Sequence, residues 1–466
     1  MSDPAGATVI AERPVPGDPR PYHFPAVDRQ QLTNGLTVIA VDLPGRELVT
    51  ASLVLPSGAA DERDEEGGLT TLMARALSEG TQRHDAIALV EASERLGASL
   101  HAEAGWDALS VGVDVPVARL GPALGLVAEV MAEPMFPTAE VQRLREERLN
   151  DLLQARADAR RRADEGFVET IYAPGSPYRR PAGGLRETVE RLDAAAAADI
   201  HGRRFDSAAM TLIVGGDLTG LDVVELAEAR FGSWVASPTA EPRRAIEAQS
   251  AVNERFVRAF HRPGSVQTEI RIGHVGVPRR IEDFHALSVM SAILGGLFNS
   301  RLNRKLREEK GYTYGASAGY EMRRAAGPFA ARTAVNTEVT VPATIDMLAE
   351  LEAIRASEVA PEELRAARDF LVGVFPLRFE TPPAVVGAIA GLVVHDLPID
   401  ELARYRPAIE AVSAADIQAA ATSRIHPEAM AIVLVGDADA FLPALEGADL
   451  GNIVVEREDA EAAHSR

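Results

Sequence analysis

The chain has 466 residues, 46% hydrophobic and 25% charged, the composition of a globular protein too long for one ordinary core. Its net charge of −21 argues against nucleic acid or anionic lipid as main partners, and no run of about 18 apolar residues offers a membrane span. Cysteine is absent, which excludes disulfides, thiolate nucleophiles and thiolate-bound metals.

Residues 1–28 form a polar, Pro/Gly-rich arm without the apolar stretch of a signal peptide. The expected compartment is therefore the cytoplasm, or the periplasm where a leader has been removed. A first domain is expected over 29–235. Strands are predicted at 36–43 and 48–56, a helix from near Gly67, and a strand with alternating apolar residues at 108–115. Helices follow at 117–133 and 138–172, the second with Leu144, Leu149, Leu152 and Leu153 at helical spacing. A last strand, MTLIVGGD, covers 210–217. Residues 236–256 lack periodicity and read as a linker. The second domain, 257–448, repeats the order: a strand at 268–277, a helix from near Asp283, a strand at 313–321, helices at 341–356 and 361–378, and the strand MAIVLVGD at 430–437. A charged tail, 449–466, closes the chain.

The order repeats because the sequence does. AADI at 197–200 and 414–417 precede the two Gly-Asp strands, at offsets of 217 and 220 residues. Pro137 and Pro361 open matching helices 224 apart, and GLTTLM at 68–73 resembles ALSVMS at 286–291. Several weak matches in one order at nearly one offset predict two homologous α+β domains. Each is expected to be a mixed β-sheet covered by helices on one face.

GLTTLMARALSEGT, residues 68–81, resembles without a gap the zinc-helix signature G-L-A-H-F-L-E-H-M-L-F-K-G-T of the pitrilysin and mitochondrial-processing-peptidase (inverzincin) family. Gly68, Leu69, Leu77, Gly80 and Thr81 keep the frame, while the chemical residues are replaced. Thr71 stands at the first zinc histidine, Ala74 at the general-base glutamate, Arg75 at the second histidine and Gln154 at the third ligand. The residues alone point the same way. A helical zinc site needs two His within one turn, and no two of the ten His are closer than 11 residues. His84, Glu65, Glu66 and Glu79 lie near that helix but read as ordinary polar surface. No metal is expected in this chain.

LGGLFNSRLNRKLREEKGYTYGASAGYE, residues 294–321, resembles a second segment of the same family, in which an Arg and a Tyr seven residues later hold the substrate backbone. Arg307 and Tyr314 have that spacing. A helix from Phe298 to Glu309, stopped by Gly311 at a left-handed position and followed by a strand, lets the two converge. Arg301, Arg304, Tyr312 and Tyr320 break the spacing or the frame. The resemblance implies one half of a clamshell. It implies the non-zinc subunit of a heterodimeric zinc metallopeptidase, supplying the Arg307/Tyr314 pair for hydrolysis of unfolded peptides. The implied partner is a homologous subunit with an intact His-x-x-Glu-His motif, which holds the zinc. A proteolytically inert scaffold or a homodimeric peptide-binding protein of the same fold is the alternative.

Overall fold

The structure, a computed structural model, describes residues 20–457. Most of the expected arm, and the tail from 458 onward, lie outside the described residues. Two six-stranded sheets organise the chain. The first comprises β1 (Asp28–Gln31), β2 (Thr37–Asp42), β3 (Leu48–Leu55), β4 (Ser99–Ala104), β5 (Leu109–Pro116) and β6 (Thr211–Gly216), in the order β1-β2-β6-β3-β5-β4. The second comprises β7 (Phe256–His261), β8 (Gln267–Val275), β9 (Ala316–Tyr320), β10 (Pro328–Asn336), β11 (Ala431–Gly436) and β12 (Asn452–Arg457), in the order β12-β7-β11-β8-β10-β9.

Five strands of each sheet match in order and sense. β2 with β6, and β7 with β11, are parallel, and the remaining pairs of this common part are antiparallel. The repeat extends to single hydrogen bonds. The Gly45 N–H donates to Asp217 Oδ2 at 2.9 Å, and the Gly264 N–H donates to Asp437 Oδ2 at 2.9 Å. Both glycines have left-handed φ, +79° and +73°, where a side chain would be strained. The Gly-Asp strand endings thus tie down the turn after the neighbouring parallel strand in each half. The sheets differ in the sixth strand: β1 runs antiparallel to β2, while β12 runs parallel to β7.

Helices cover one face of each sheet, burying two large apolar cores. The opposite faces are covered by exchange. The helix Ala159–Ile171, from the first half, packs on β8 and β11 through Ala163, Phe167 and Ile171. The helix Pro382–Val394, from the second half, packs on β3 and β6 through Val385, Val386 and Ile389. Burial on both faces explains why every residue of β6 and β11 is buried and why both read as unbroken apolar runs. Among the described residues no single helix is long and apolar enough to cross a membrane.

Several expected bounds change. The helix predicted over 138–172 is two helices, Thr138–Ala157 and Ala159–Ile171, broken at Asp158, whose carboxylate caps the second by accepting the Arg161 N–H. The helix expected from Phe298 begins at Arg301, because Ser300 is extended with ψ 164°. The strand expected from Thr313 starts at Ala316, since Thr313 Oγ1 bonds the backbone of Gly315 and holds a turn there. Asn452–Arg457, expected to be tail, is β12, with Ile453 and Val455 packed against the second core.

Candidate functional site

The helix Leu69–Ala76 carries the positions where a zinc site is missing. Its start is fixed by Glu62, whose buried carboxylate accepts the Thr70 N–H at 2.6 Å, the Gly68 N–H at 3.0 Å and an Arg180 N–H at 2.7 Å. Gly68, at φ +95°, lies so close to Gly183 and Gly184 that a Cβ would meet backbone atoms within 3.0 Å. The frame residues therefore keep a helix in place, whatever chemistry it carries.

That helix runs antiparallel to Thr138–Ala157 and is linked to it by ion pairs four residues apart. Glu79 meets Arg143 at 2.8 Å, and Arg75 meets Glu147 at 2.7 Å. Continued by one step of four residues, the same register points to Asp151 as the residue across from Thr71. Gln154, the position expected for the third ligand, is exposed and nearly one turn further along. Sequence reasoning missed Asp151, because its place depends on the register between the two helices. Its carboxylate is already neutralised by Arg161, at 2.8 and 3.1 Å, and by a short bond from Arg148. Arg161 holds it below the usual carboxylate range, as Arg75 does Glu147.

Thr71 donates its hydroxyl to the Ala182 carbonyl at 3.3 Å, Ala74 is buried and has no donor atom, and Arg75 is permanently cationic. These residues do not fit a zinc ion. Of the nearby groups, Glu65 is exposed at the surface and the others are engaged. Glu66 pairs with Arg203, Glu79 with Arg143, and His84 Nδ1 lies 2.7 Å from the buried Glu129. Elsewhere His261, Asp437 and Asp439 lie close enough to share a cation. His261 Nδ1, however, accepts the Ala438 N–H at 3.2 Å, which puts the ring proton on Nε2, and Asp439 is bonded by Arg457.

Arg307 and Tyr314 sit beside the β9 edge of the second sheet. The helix from Arg301 widens to a π-type turn over Arg304–Glu309 and ends at Gly311, with φ +64°. The Tyr312 N–H closes it by donating to the Leu306 carbonyl at 2.8 Å. Tyr314 stands in the following turn and is 95% exposed. The Arg307 guanidinium lies 4.3 Å from the ring centre of Phe298, itself 71% exposed, and 3.6 Å from Glu308. Its neighbours are engaged elsewhere. Arg301 makes a two-pronged pair with Glu363 at 3.0 and 2.8 Å, Arg304 reaches the same carboxylate at 3.5 Å, and Tyr312 packs against the second core. Tyr320 donates to the Arg424 carbonyl. Arg307 thus keeps free donors at the surface, beside an exposed phenol and an exposed phenyl ring.

Residues 37–173 match the sequence family described as Insulinase (Peptidase family M16), and residues 191–371 match the one described as Peptidase M16 inactive domain. An uncharacterized zinc protease of Mycobacterium leprae is 24% identical over 290 residues, 62% of this chain and 64% of that protein. The non-peptidase homolog YmxG of Helicobacter pylori is 23% identical over 321 residues, 67% of this chain and 72% of that protein. The chain therefore spans about two thirds of the length of the curated relatives it matches. A solved peptidase M16 inactive domain from Pseudomonas fluorescens superposes with a TM-score of 0.81 at 23% identity, covering 88% of this chain and 98% of that one. A protease from Helicobacter pylori superposes with a TM-score of 0.80 at 18% identity, covering 89% and 100%.

Proposed function

Because this chain belongs to the peptidase M16 family, we propose that it is the non-zinc subunit of a two-chain metallopeptidase and that Arg307 and Tyr314 hold the peptide in the partner's active site. The observation that carries this reading is the contrast between the two sites. Thr71, Ala74, Arg75 and Gln154 put no histidine or carboxylate at the metal positions, and Arg75 is committed to Glu147, while the guanidinium and phenol of the other motif keep donors free at the surface. The partner is a homologous chain with an intact His-x-x-Glu-His motif, and it supplies the zinc and the general base. Arg307 offers a planar fork of N–H groups and Tyr314 one O–H. Both are suited to a peptide carbonyl and to the negative charge that grows on it during hydrolysis. The substrate is an unfolded peptide, and the expected compartment is the cytoplasm, or the periplasm with a leader.

The test is cleavage of a quenched fluorescent peptide by this chain mixed with such a partner, with size-exclusion chromatography to follow assembly. Cleavage is expected only from the mixture. Arg307→Ala or Tyr314→Phe should lower it by about 10²–10³ with assembly and the partner's zinc unchanged. Arg307→Lys should also fail, since a point charge cannot reproduce a fork. Arg301→Ala and Tyr312→Phe should keep most of the activity. Wild-type rates in the Arg307 and Tyr314 variants would refute the reading. A second reading, a proteolytically inert peptide-binding or scaffold protein, is favoured by the likeness to the non-peptidase homolog YmxG. It gains if no zinc-bearing homologue assembles with the chain.

A further inference from the structure

This inference rests on the reading of Arg307 and Tyr314 as the peptide-binding pair. The two residues lie on separate segments, and among the described residues no hydrogen bond ties either side chain to the fold; Arg307 has only its neighbour Glu308, at 3.6 Å, for a charge partner. Tyr314 is 95% exposed, and Arg307 leans on Phe298, which is exposed as well. A preorganised pair needs something to fix both segments, since a displacement of about 1 Å in such a site can cost 10²-fold in rate.

Asn303 touches both. Its side chain is buried, with only 8% of the residue exposed. The amide nitrogen donates to the Leu297 carbonyl at 3.1 Å and to Ser300 Oγ at 3.2 Å, closing the loop that carries Phe298 under the Arg307 guanidinium. The amide oxygen accepts the Ala316 N–H at 2.8 Å, fixing the chain two residues beyond Tyr314. On the other side of Tyr314, Thr313 Oγ1 bonds Gly315 and Thr333 Oγ1. The orientation of the amide follows from its partners, because a flipped group would set oxygen against the Leu297 carbonyl and N–H against the Ala316 N–H. Among uncharged side chains, a carboxamide combines two donors and an acceptor in one plane, which this bridge requires. The segment that resembles the family, 294–321, implies a role for Arg307 and Tyr314; Asn303 lies within it with no role implied.

We infer that Asn303 is the positioning residue of the pair: it sets Arg307 and Tyr314 relative to one another by binding the loop beneath the first and the strand entry beside the second. Asn303→Asp keeps the acceptor for Ala316 but loses both donors, and Asn303→Leu loses all three bonds. Both are measured in the assembled complex with the quenched peptide, alone and combined with Tyr314→Phe. Each is expected to lower kcat by at least about tenfold with assembly and zinc content retained. The loss should be much smaller in the Tyr314→Phe background, because a residue that acts through the pair has less to disturb once half of it is gone. Hydrogen exchange of the purified chain should accelerate at 297–300 and 313–316 in Asn303→Leu. Should Asn303→Leu fail to assemble, Asn303→Asp and its exchange decide. Wild-type kcat in both Asn303 variants, or losses that multiply fully with Tyr314→Phe, would overturn the inference while leaving the pair intact. A wild-type rate in Tyr314→Phe itself would remove the pair reading, and this inference with it.

Discussion

A guanidinium has no lone pair to give a metal, and Arg75 is further committed to Glu147 at 2.7 Å. With Ala74 lacking a donor atom and Asp151 bound by two arginines, the purified chain is expected to hold no stoichiometric zinc by elemental analysis; one tightly bound zinc per chain would contradict the site description. Replacements at Thr71, Ala74 and Arg75 were legible because the surrounding frame is intact. Asp151 and Asn303 were not, since nothing local distinguishes them from other polar residues on helices. Their roles exist only once helix register and loop closure are known. His274 is a similar case. Its ring donates from Nδ1 to the Val275 carbonyl at 2.8 Å and accepts the His426 N–H at Nε2, so a second ring proton would face a donor. Burial, above all, pushes its pKa down from 6.5 to about 4. The unfolded chain therefore takes up this proton at a higher pH than the folded one. Stability is complete above the unfolded value and falls as pH drops from about 6.5 toward 4, by roughly 2 kcal/mol at pH 5 from this residue. Urea titrations at pH 7 and pH 5 should show that loss, and His274→Asn should lose less between the same two pH values. Equal losses in the two proteins would exclude His274 as the source.

One helix was misread and another was not predicted, for opposite reasons. The stretch 138–172 has helix-forming residues throughout, so the break at Asp158 leaves no gap in its pattern. It shows only as an aspartate able to cap the second of the two helices. Pro382–Val394, PPAVVGAIAGLVV, is apolar on most of its circumference and so shows no face. In the structure it does have a face: Pro382, Val385, Val386, Ile389 and Leu392 are buried while Pro383 and Gly387 are exposed, but the small and apolar residues on the outer side hide that face in the sequence. The sequence pattern of such a helix is the same whether it covers its own sheet or another, which is why the exchange escaped a reading that found the repeat itself. The exchange has an energetic consequence that can be measured. Phe167 is 1% exposed and Ile389 is fully buried, each against the other half's sheet. Phe167→Ala should cost about 3–5 kcal/mol and Ile389→Ala about 2–5 kcal/mol of stability in urea titration. Losses under about 1 kcal/mol at both sites would mean that these faces are not packed as described.

Exchange of helices ties the two halves together, although the repeat reads as two domains. Polar contacts reinforce it. The buried Asp61 carboxylate takes an Arg324 N–H at 2.6 Å, and Asp107 accepts the Arg324 backbone N–H at 2.8 Å. Tyr172 donates to the Ala326 carbonyl at 2.9 Å, and Arg271, 2% exposed, pairs with Asp164 at 2.7 Å. Separating the halves would strip Ile39, Val41, Val54 and Ile213 of their cover on one sheet and Phe260, Val433 and Val435 on the other. It would also leave Asp61 and Arg271 buried or half-buried with partners missing, the costly way to break an ion pair. Under the function proposed above, halves joined in this way would carry the zinc-equivalent face and the Arg307/Tyr314 face as one body when two chains closed on a peptide. The expectation is that 20–254 and 255–457, expressed separately, are each aggregation-prone or partly unfolded, and that co-expression restores a folded 1:1 complex. The intact chain should unfold in one transition, with the fluorescence of Trp106, at the junction beside Arg323, and Trp234, within the first half, changing together with circular dichroism. Two separate transitions, or two halves that each fold as stable monomers, would show that the exchanged helices and the Asp61–Arg324 bond contribute little. In that case the two faces could move independently, and the closing motion would have to be sought within the chain as well as between chains.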